Sequence, residues 1–177
     1  MKTLVVYSSR TGNTKKVAEA VFESLPEPKE LFAAADAPDP EGYDFIALGY
    51  WVDKGTADAG AAGYMKRGKG KKIGLFGTLG AYPDSDHARQ CKEKVRDLVS
   101  GNEILGEFLC QGRVDPELIK LMETKMKDDP HHSMTPERRA RHEEAAKHPD
   151  ETDLAEARKM FARLAVPAAE EGQPCAG

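Results

Sequence analysis

Short apolar runs alternate with amphipathic stretches along the chain as far as Gly112. The apolar runs have the length and the β-branched or aromatic content of buried strands, and they lie at 4–7, 30–33, 43–50, 72–76 and 103–111. Three stretches between them repeat apolar residues at helical spacing, at 12–25, 57–67 and 84–100. Strands separated by segments of helix length predict right-handed βαβ units around a parallel sheet. The pattern therefore predicts an α/β fold with a doubly wound sheet of five parallel strands.

The chain becomes more polar beyond Val114. Helical spacing returns at 116–127 and again at 136–147, where Pro136 stands at the first helical position after Thr135. A last amphipathic helix is predicted from the apolar positions Leu154, Ala157, Phe161 and Leu164.

These elements predict one domain over residues 1–166. Within it, we expect 128–166 to form a helical C-terminal extension, followed by a disordered tail over 167–177.

The composition is that of an ordinary globular domain. The chain has 177 residues, of which 40% are hydrophobic and 32% are charged. A net charge of -4 disfavours general binding to nucleic acid or to an anionic membrane. No apolar run approaches the ~20 residues that span a bilayer. The three cysteines and the histidines match no metal-ligand spacing, so we expect no metal site, reduced thiols and a cytoplasmic location.

The segment after the first predicted strand has the chemistry of an anion-binding loop. Ser9, Thr11 and Thr14 offer hydroxyl groups, and Gly12 allows a close approach of the backbone just before a helix begins. Backbone N–H groups at a helix N-terminus bind anions, and the helix dipole adds to this effect. The nucleotide-binding patterns GxxxxGK[ST] and GxGxxG are absent, so a single terminal phosphate fits best. The alternative is a polar turn with an ordinary helix cap.

This loop resembles the phosphate loop of flavodoxins through the sequence Ser-x-Thr-Gly-Asn-Thr. The resemblance implies a flavodoxin-like sheet with strand order 2-1-3-4-5 and a bound flavin mononucleotide (FMN). It also implies phosphate contacts from Ser9, Thr11, Gly12, Asn13 and Thr14. Arg10 fills the variable position, where its backbone N–H would serve.

The same resemblance makes the segment after the third predicted strand a flavin-binding loop. It implies that Trp51, beside Tyr50 and Val52, packs on the isoalloxazine ring, and that Asp53, Lys54 and Gly55 respond to redox state. Lys54 departs from the acidic surroundings usual in flavodoxins, because a cation there would favour the anionic reduced flavin. The alternative is a tryptophan that caps the end of the sheet.

The segment after the fourth predicted strand is implied to contact the pyrimidine edge of the flavin. Thr78, Leu79 and Gly80 would donate backbone N–H groups, and Tyr82 would cover the ring. The alternative is a glycine turn with a surface tyrosine.

Longer phrases resemble one subgroup of flavodoxins, the flavodoxin-like accessory proteins associated with bilirubin reduction in gut anaerobes. These phrases are YWVDKGTAD, GLFGTLGAYPDS, GEFLCQGRVD and MTPERRARHEEAAKHPDE.

The function expected from these features is electron transfer between a reductase and a terminal redox enzyme, with FMN as cofactor and no catalytic side chain. Redox partner proteins are then the expected partners, and the protein itself is expected to be a monomer or weak homodimer. Two alternatives stay open. One is an FMN-dependent reductase of a quinone or tetrapyrrole-like substrate, and the other is a non-redox module that binds a phosphorylated ligand.

Overall fold

A central parallel sheet organises the protein, seen in a computed structural model that describes residues 1–126 and 133–165. The strands are β1 (Thr3–Tyr7), β2 (Lys29–Ala33), β3 (Phe45–Asp53), β4 (Thr56–Ala57), β5 (Lys72–Leu79) and β6 (Glu103–Gln111). Their order is β2-β1-β3-β5-β6, with β4 paired to β3. All pairs are parallel except β3 with β4. The predicted α/β fold and its strand order are confirmed, and the added strand is the two-residue β4.

Helices cover both faces of this sheet. They are α1 (Asn13–Ser24), α2 (Ala59–Met65), α3 (Asp86–Leu98), α4 (Pro116–Thr124), α5 (Pro136–Ala145) and α6 (Glu151–Leu164). One core joins the sheet to α2 and α3 through Tyr64, Met65 and Val95. The opposite core joins it to α1 and α6 through Val17 and Phe161.

The C-terminal helix α6 is part of the core. The ring centroid of Phe161 lies 5.7 Å from that of Phe76 on β5 and 6.5 Å from that of Phe45 on β3. Ala157, one turn earlier, is fully buried in the same cluster. The apolar stripe expected on this helix is therefore confirmed. Helix α6 packs beside α1 on the same face of the sheet.

Helices α4 and α5 connect β6 to α6. Helix α4 has no buried residue, and α5 buries only Ala145. Residues 127–132 lie outside the described ranges, and so do the residues of the predicted tail at 167–177. No helix in the described ranges has a long enough apolar stretch to cross a bilayer.

The carboxyl ends of β1, β3, β5 and β6 meet at one edge of the sheet, because these strands run parallel. In open α/β sheets, ligands bind at this edge, near the point where the strand order reverses. Here the reversal falls between β1 and β3, so a ligand is expected beside the segments that follow these two strands.

Candidate functional site

A cleft of about 510 Å³ opens at this edge of the sheet. Four segments of the chain line it: the β1–α1 loop, the end of β3, the end of β5 and the segment from β6 into α4. Ten residues predicted from the sequence lie on its wall: Ser9, Arg10, Thr11, Asn13, Thr14, Trp51, Val52, Thr78, Leu79 and Gly80. The fold thus brings residues from all three predicted loops into one space.

The β1–α1 loop leaves the first turn of α1 open. Gly12 precedes the helix in the left-handed region, with φ 94°, and within the described residues no side chain caps this helix. The amide of Gly12 instead donates to Ser9 Oγ at 3.1 Å. Because the first N–H groups of a helix have no partner within the helix, they stay available to an anion in the cleft.

The hydroxyl groups of this loop accept hydrogen bonds from inside the loop. Ser9 Oγ accepts from the Gly12 amide, and Thr11 Oγ1 accepts from Asn13 Nδ2 at 3.1 Å. Each hydroxyl therefore keeps its proton for a further acceptor. Thr14 is buried, and its Oγ1 lies 2.9 Å from Thr78 Oγ1, which joins the start of α1 to the end of β5.

The segment after the third predicted strand is a β-hairpin, which corrects the expectation of a loop. Strand β3 continues through Tyr50 and Trp51 to Asp53, and then turns tightly into β4. Lys54 and Gly55 both have positive φ, of 49° and 80°. Two central residues with positive φ characterise the type I′ turn, whose twist matches that of the flanking strands.

Asp58 fixes the position of this hairpin. Its buried carboxylate accepts from Ser8 Oγ at 2.6 Å and from the Trp51 amide at 3.3 Å. It also caps α2 by accepting from the amides of Gly60 and Ala61. One carboxylate thus connects the end of β1, the end of β3 and the start of α2, which sets where Trp51 stands in the cleft.

Six of the predicted residues do not line the cleft. These are Gly12, Tyr50, Asp53, Lys54, Gly55 and Tyr82. Tyr50 lies in the core below the sheet, where a Cβ on Gly77 would lie 2.7 Å from its Cζ. Burial raises the pKa of the Tyr50 phenol well above its ordinary value. Tyr82 is 44% exposed and stands outside the cleft on the β5–α3 loop.

The segment after β6 is a wall of the cleft that the sequence did not reveal. It contributes Gly112, Arg113, Val114, Asp115 and Leu118. A Cβ on Gly80 would lie 2.5 Å from Val114 Cγ2, so this segment packs directly against the end of β5. The available signal was topological, because β6 adjoins β5 and its carboxyl end must therefore reach the same edge.

One cluster with metal-binding groups lies away from the cleft. Ligand atoms of His148, Asp150 and Asp153 lie within 4.8 Å of one another. Asp150 and Asp153 form the capping box of α6, and Asp153 Oδ2 lies 2.5 Å from His148 Nδ1. The helix cap therefore accounts for how these groups are placed.

Comparison with known proteins identifies the family. A family model described as a flavodoxin domain matches residues 4–162. Two curated relatives carry the name flavodoxin-like domain-containing protein BilS. The one from Clostridioides difficile (strain CD3) is 38% identical over 168 residues, covering 92% of this chain and 95% of the relative. The one from Clostridium symbiosum (strain WAL-14163) is 31% identical over an alignment of 191 positions, gaps included, which covers 98% of this chain and 100% of the relative.

Solved structures share the fold at lower identity. A flavodoxin from the domain Archaea superposes with a TM-score of 0.54 at 19% identity, covering 93% of this chain and 96% of that one. A Lactobacillus acidophilus flavoprotein in complex with FMN has a TM-score of 0.51 at 18% identity, covering 61% and 92%. Because the family model matches most of the chain, the protein belongs to the flavodoxin family.

Proposed function

We propose that the cleft binds FMN and that the protein carries electrons between a reductase and a terminal redox enzyme. One observation carries this proposal: the uncapped first turn of α1 opens into the same cleft as Trp51 and Gly80. A helix N-terminus favours a phosphate, and an aromatic side chain beside open backbone favours a flat ring. FMN has both parts, joined by a short chain.

The donor set of the β1–α1 loop suits a phosphate monoester. Ser9 and Thr11 each accept a hydrogen bond within the loop, which leaves both hydroxyl protons free to point at phosphate oxygens.

Bound FMN would supply the one- and two-electron chemistry. The protein's own contribution is to hold and shield it. Trp51, Val52 and Leu118 line the cleft with apolar surface that would exclude water, and Asp58 fixes the strand end that carries Trp51.

The known relatives support this assignment. The Lactobacillus acidophilus flavoprotein was solved with FMN. The phrases that resemble accessory proteins associated with bilirubin reduction favour a terminal redox enzyme as the electron acceptor. Cys91 and Cys110 are buried free thiols, which suits the reducing cytoplasm.

Titration of the purified protein with FMN, followed by stepwise anaerobic reduction, tests the proposal. Flavin absorption bands with tight binding and reduction in two separated one-electron steps are the expected result. Reduction directly by two electrons would favour the reductase described below. A protein without affinity for FMN would contradict both the electron carrier and the FMN-dependent reductase. The remaining function would then be a non-redox module that binds another phosphorylated ligand.

A charge placed in the loop tests the phosphate contact itself. The exposed Thr11 becomes an anion in Thr11→Asp, and this variant should weaken FMN binding at least tenfold while riboflavin binding changes little. Thr152→Asp makes the same chemical change in the first turn of α6 and serves as the control. Equal weakening of FMN and riboflavin by Thr11→Asp would contradict a phosphate at this loop.

A second candidate function is an FMN-dependent reductase of a quinone or tetrapyrrole-like substrate. The observation that favours it is an open groove between α4 and α5, which shares Arg113 with the cleft. A substrate there would lie beside a flavin in the cleft. Oxidation of a reduced nicotinamide by the purified protein, accelerated by such a substrate, would support this function over that of a carrier.

A further inference from the structure

Two contacts join the segment that follows β6 to the β1–α1 loop and the start of α1. Asn13 Nδ2 donates to the carbonyl oxygen of Arg113 at 2.9 Å. Arg10 Nη2 lies 2.9 Å from Asp115 Oδ2. Both contacts cross the cleft and join residues about a hundred positions apart in the sequence.

Arg10 holds two walls of the cleft at once. Its guanidinium carbon lies 5.8 Å from the ring centroid of Trp51, while the same group pairs with Asp115. The Asp115 side chain is 17% exposed and that of Arg10 is 52% exposed. The carboxylate thus positions a half-exposed cation over the tryptophan that lines the site.

A second Asp-Pro-Glu sequence in this chain shows that the ion pair is an addition to a helix cap. Asp115 Oδ1 accepts from the Glu117 amide at 2.9 Å, with Pro116 beginning α4. Asp39 Oδ1 accepts from the Glu41 amide at 2.9 Å, with Pro40 beginning a short 3₁₀ helix. The two caps are alike, but among the described residues Asp115 forms an ion pair with Arg10, whereas Asp39 forms none.

We propose that Arg10 and Asp115 form a clasp that keeps the β6–α4 segment closed over the ligand and slows its release. This proposal rests on the proposed function, because the ligand is taken to be FMN. Neither residue touches reacting atoms through the clasp. They are positioning residues, and their effect is expected on dissociation.

The first test measures the dissociation of FMN and of riboflavin by stopped-flow fluorescence. Asp115→Asn keeps the helix cap, since asparagine caps as well as aspartate, but removes the charge. We expect both flavins to dissociate about threefold to fivefold faster, the size of effect that a half-exposed ion pair can give. Asp39→Asn makes the same change in the other Asp-Pro-Glu cap and should leave both rates unchanged.

The double variant tests whether the two residues act as a pair. If they form the clasp, Arg10→Gln combined with Asp115→Asn releases flavin no faster than the quicker single variant. The proposal would be overturned if the double variant released flavin faster than either single variant, by the product of the two single rate increases. Slower release of FMN from Asp115→Asn, with riboflavin unchanged, would also overturn it, because that result would make the freed Arg10 a phosphate ligand.

A flavin-free measurement separates the failure of the clasp from the failure of the proposed function. Trp51 is the one tryptophan in the chain, so its emission reports on Arg10 directly. In the apoprotein, Asp115→Asn should raise the acrylamide quenching of Trp51, and Asp39→Asn should not. Unchanged quenching would contradict the clasp even if FMN binds, whereas raised quenching without FMN affinity would contradict only the proposed function.

Discussion

The ring of Phe161 on α6 occupies the space directly above Gly74 on β5. A Cβ on Gly74 would lie 2.6 Å from Phe161 Cε1 and 3.1 Å from Phe45 Cζ. Phe161 itself is fully buried. The C-terminal helix therefore reaches the sheet because one strand position carries no side chain.

Replacing this glycine should destabilise the protein. Gly74→Ala forces a methyl group into the ring of Phe161, and such overpacking costs about 1–3 kcal/mol of the free energy of unfolding. In a Phe161→Leu background the same change should cost less, because the ring edge is gone. Urea denaturation of the four proteins measures this coupling, and equal costs in both backgrounds would show that α6 does not sit on Gly74.

The buried carboxylate of Asp58 should contribute more to the free energy of unfolding than an exposed carboxylate does. Asp58→Ala leaves the Ser8 hydroxyl and the amides of Gly60 and Ala61 without their acceptor, at a cost of about 1–3 kcal/mol. Asp44→Ala is the control, since Asp44 accepts from the Lys2 amide on the surface and its loss should cost under about 1 kcal/mol. Equal costs by thermal denaturation would contradict the role given to Asp58.

The hairpin turn can be tested with two glycines. Gly55→Ala places a side chain at φ 80° and should cost about 1–2 kcal/mol of stability. Gly63→Ala lies within α2, where a Cβ meets nothing within 4 Å, and should stabilise by about 0.5–1 kcal/mol. Denaturant midpoints of both variants check this, and a neutral Gly55→Ala would exclude the type I′ turn.

The succession of strands and helices along the chain followed from apolar runs and helical stripes, because burial sets such patterns. The order of the strands in the sheet followed from the flavodoxin resemblance. The end of β3 could not be predicted in this way. Trp51, Val52 and Asp53 show no period, and the turn at Lys54 and Gly55 lacks the usual Asn-Gly or Asp-Gly signal. Only pairing with β4 shows that this segment is a hairpin.

The site was predictable where a local motif carries the chemistry, as at Ser9 and Thr11. Arg113 and Asp115 belong to no motif, and their place in the cleft depends on how β6 is laid beside β5. Tyr50 shows the opposite case, a residue that was predicted at the site but does not line the cleft. Its neighbours Trp51 and Val52 line the cleft, whereas Tyr50 is buried in the core, so adjacency along the strand does not place it at the site.

Two histidines should give stability a maximum near neutral pH. The hydrogen bond to Asp153 raises the pKa of His148, and Glu144 adds to this effect. A raised pKa contributes stability that is complete below the unfolded value of about 6.5 and is lost as the pH rises through the folded value. Burial, helped by Arg141 and Arg138, lowers the pKa of His142, so its effect is a loss of stability as the pH falls below about 6.5.

Single variants separate these two slopes. His148→Gln should flatten the stability curve above pH ~6.5, and His142→Gln should flatten it just below that value. The free energy of unfolding, measured by urea denaturation between pH ~5.5 and ~8.5, gives both slopes. A wild-type curve that rises steadily through this range would contradict the assignment for His148.

Trp51 and Tyr82 give opposite predictions for flavin binding. Trp51 lines the cleft, whereas Tyr82 is 44% exposed outside it, although the flavodoxin resemblance implies that both cover the ring. From the geometry, Trp51→Ala should weaken FMN binding about tenfold, corresponding to ~1.4 kcal/mol of aromatic contact, and Trp51→Phe should restore most of it. Tyr82→Ala should change the affinity less than about threefold. If Tyr82→Ala weakened FMN binding as strongly as Trp51→Ala, Tyr82 would contact the bound cofactor, which would contradict the prediction made from the geometry.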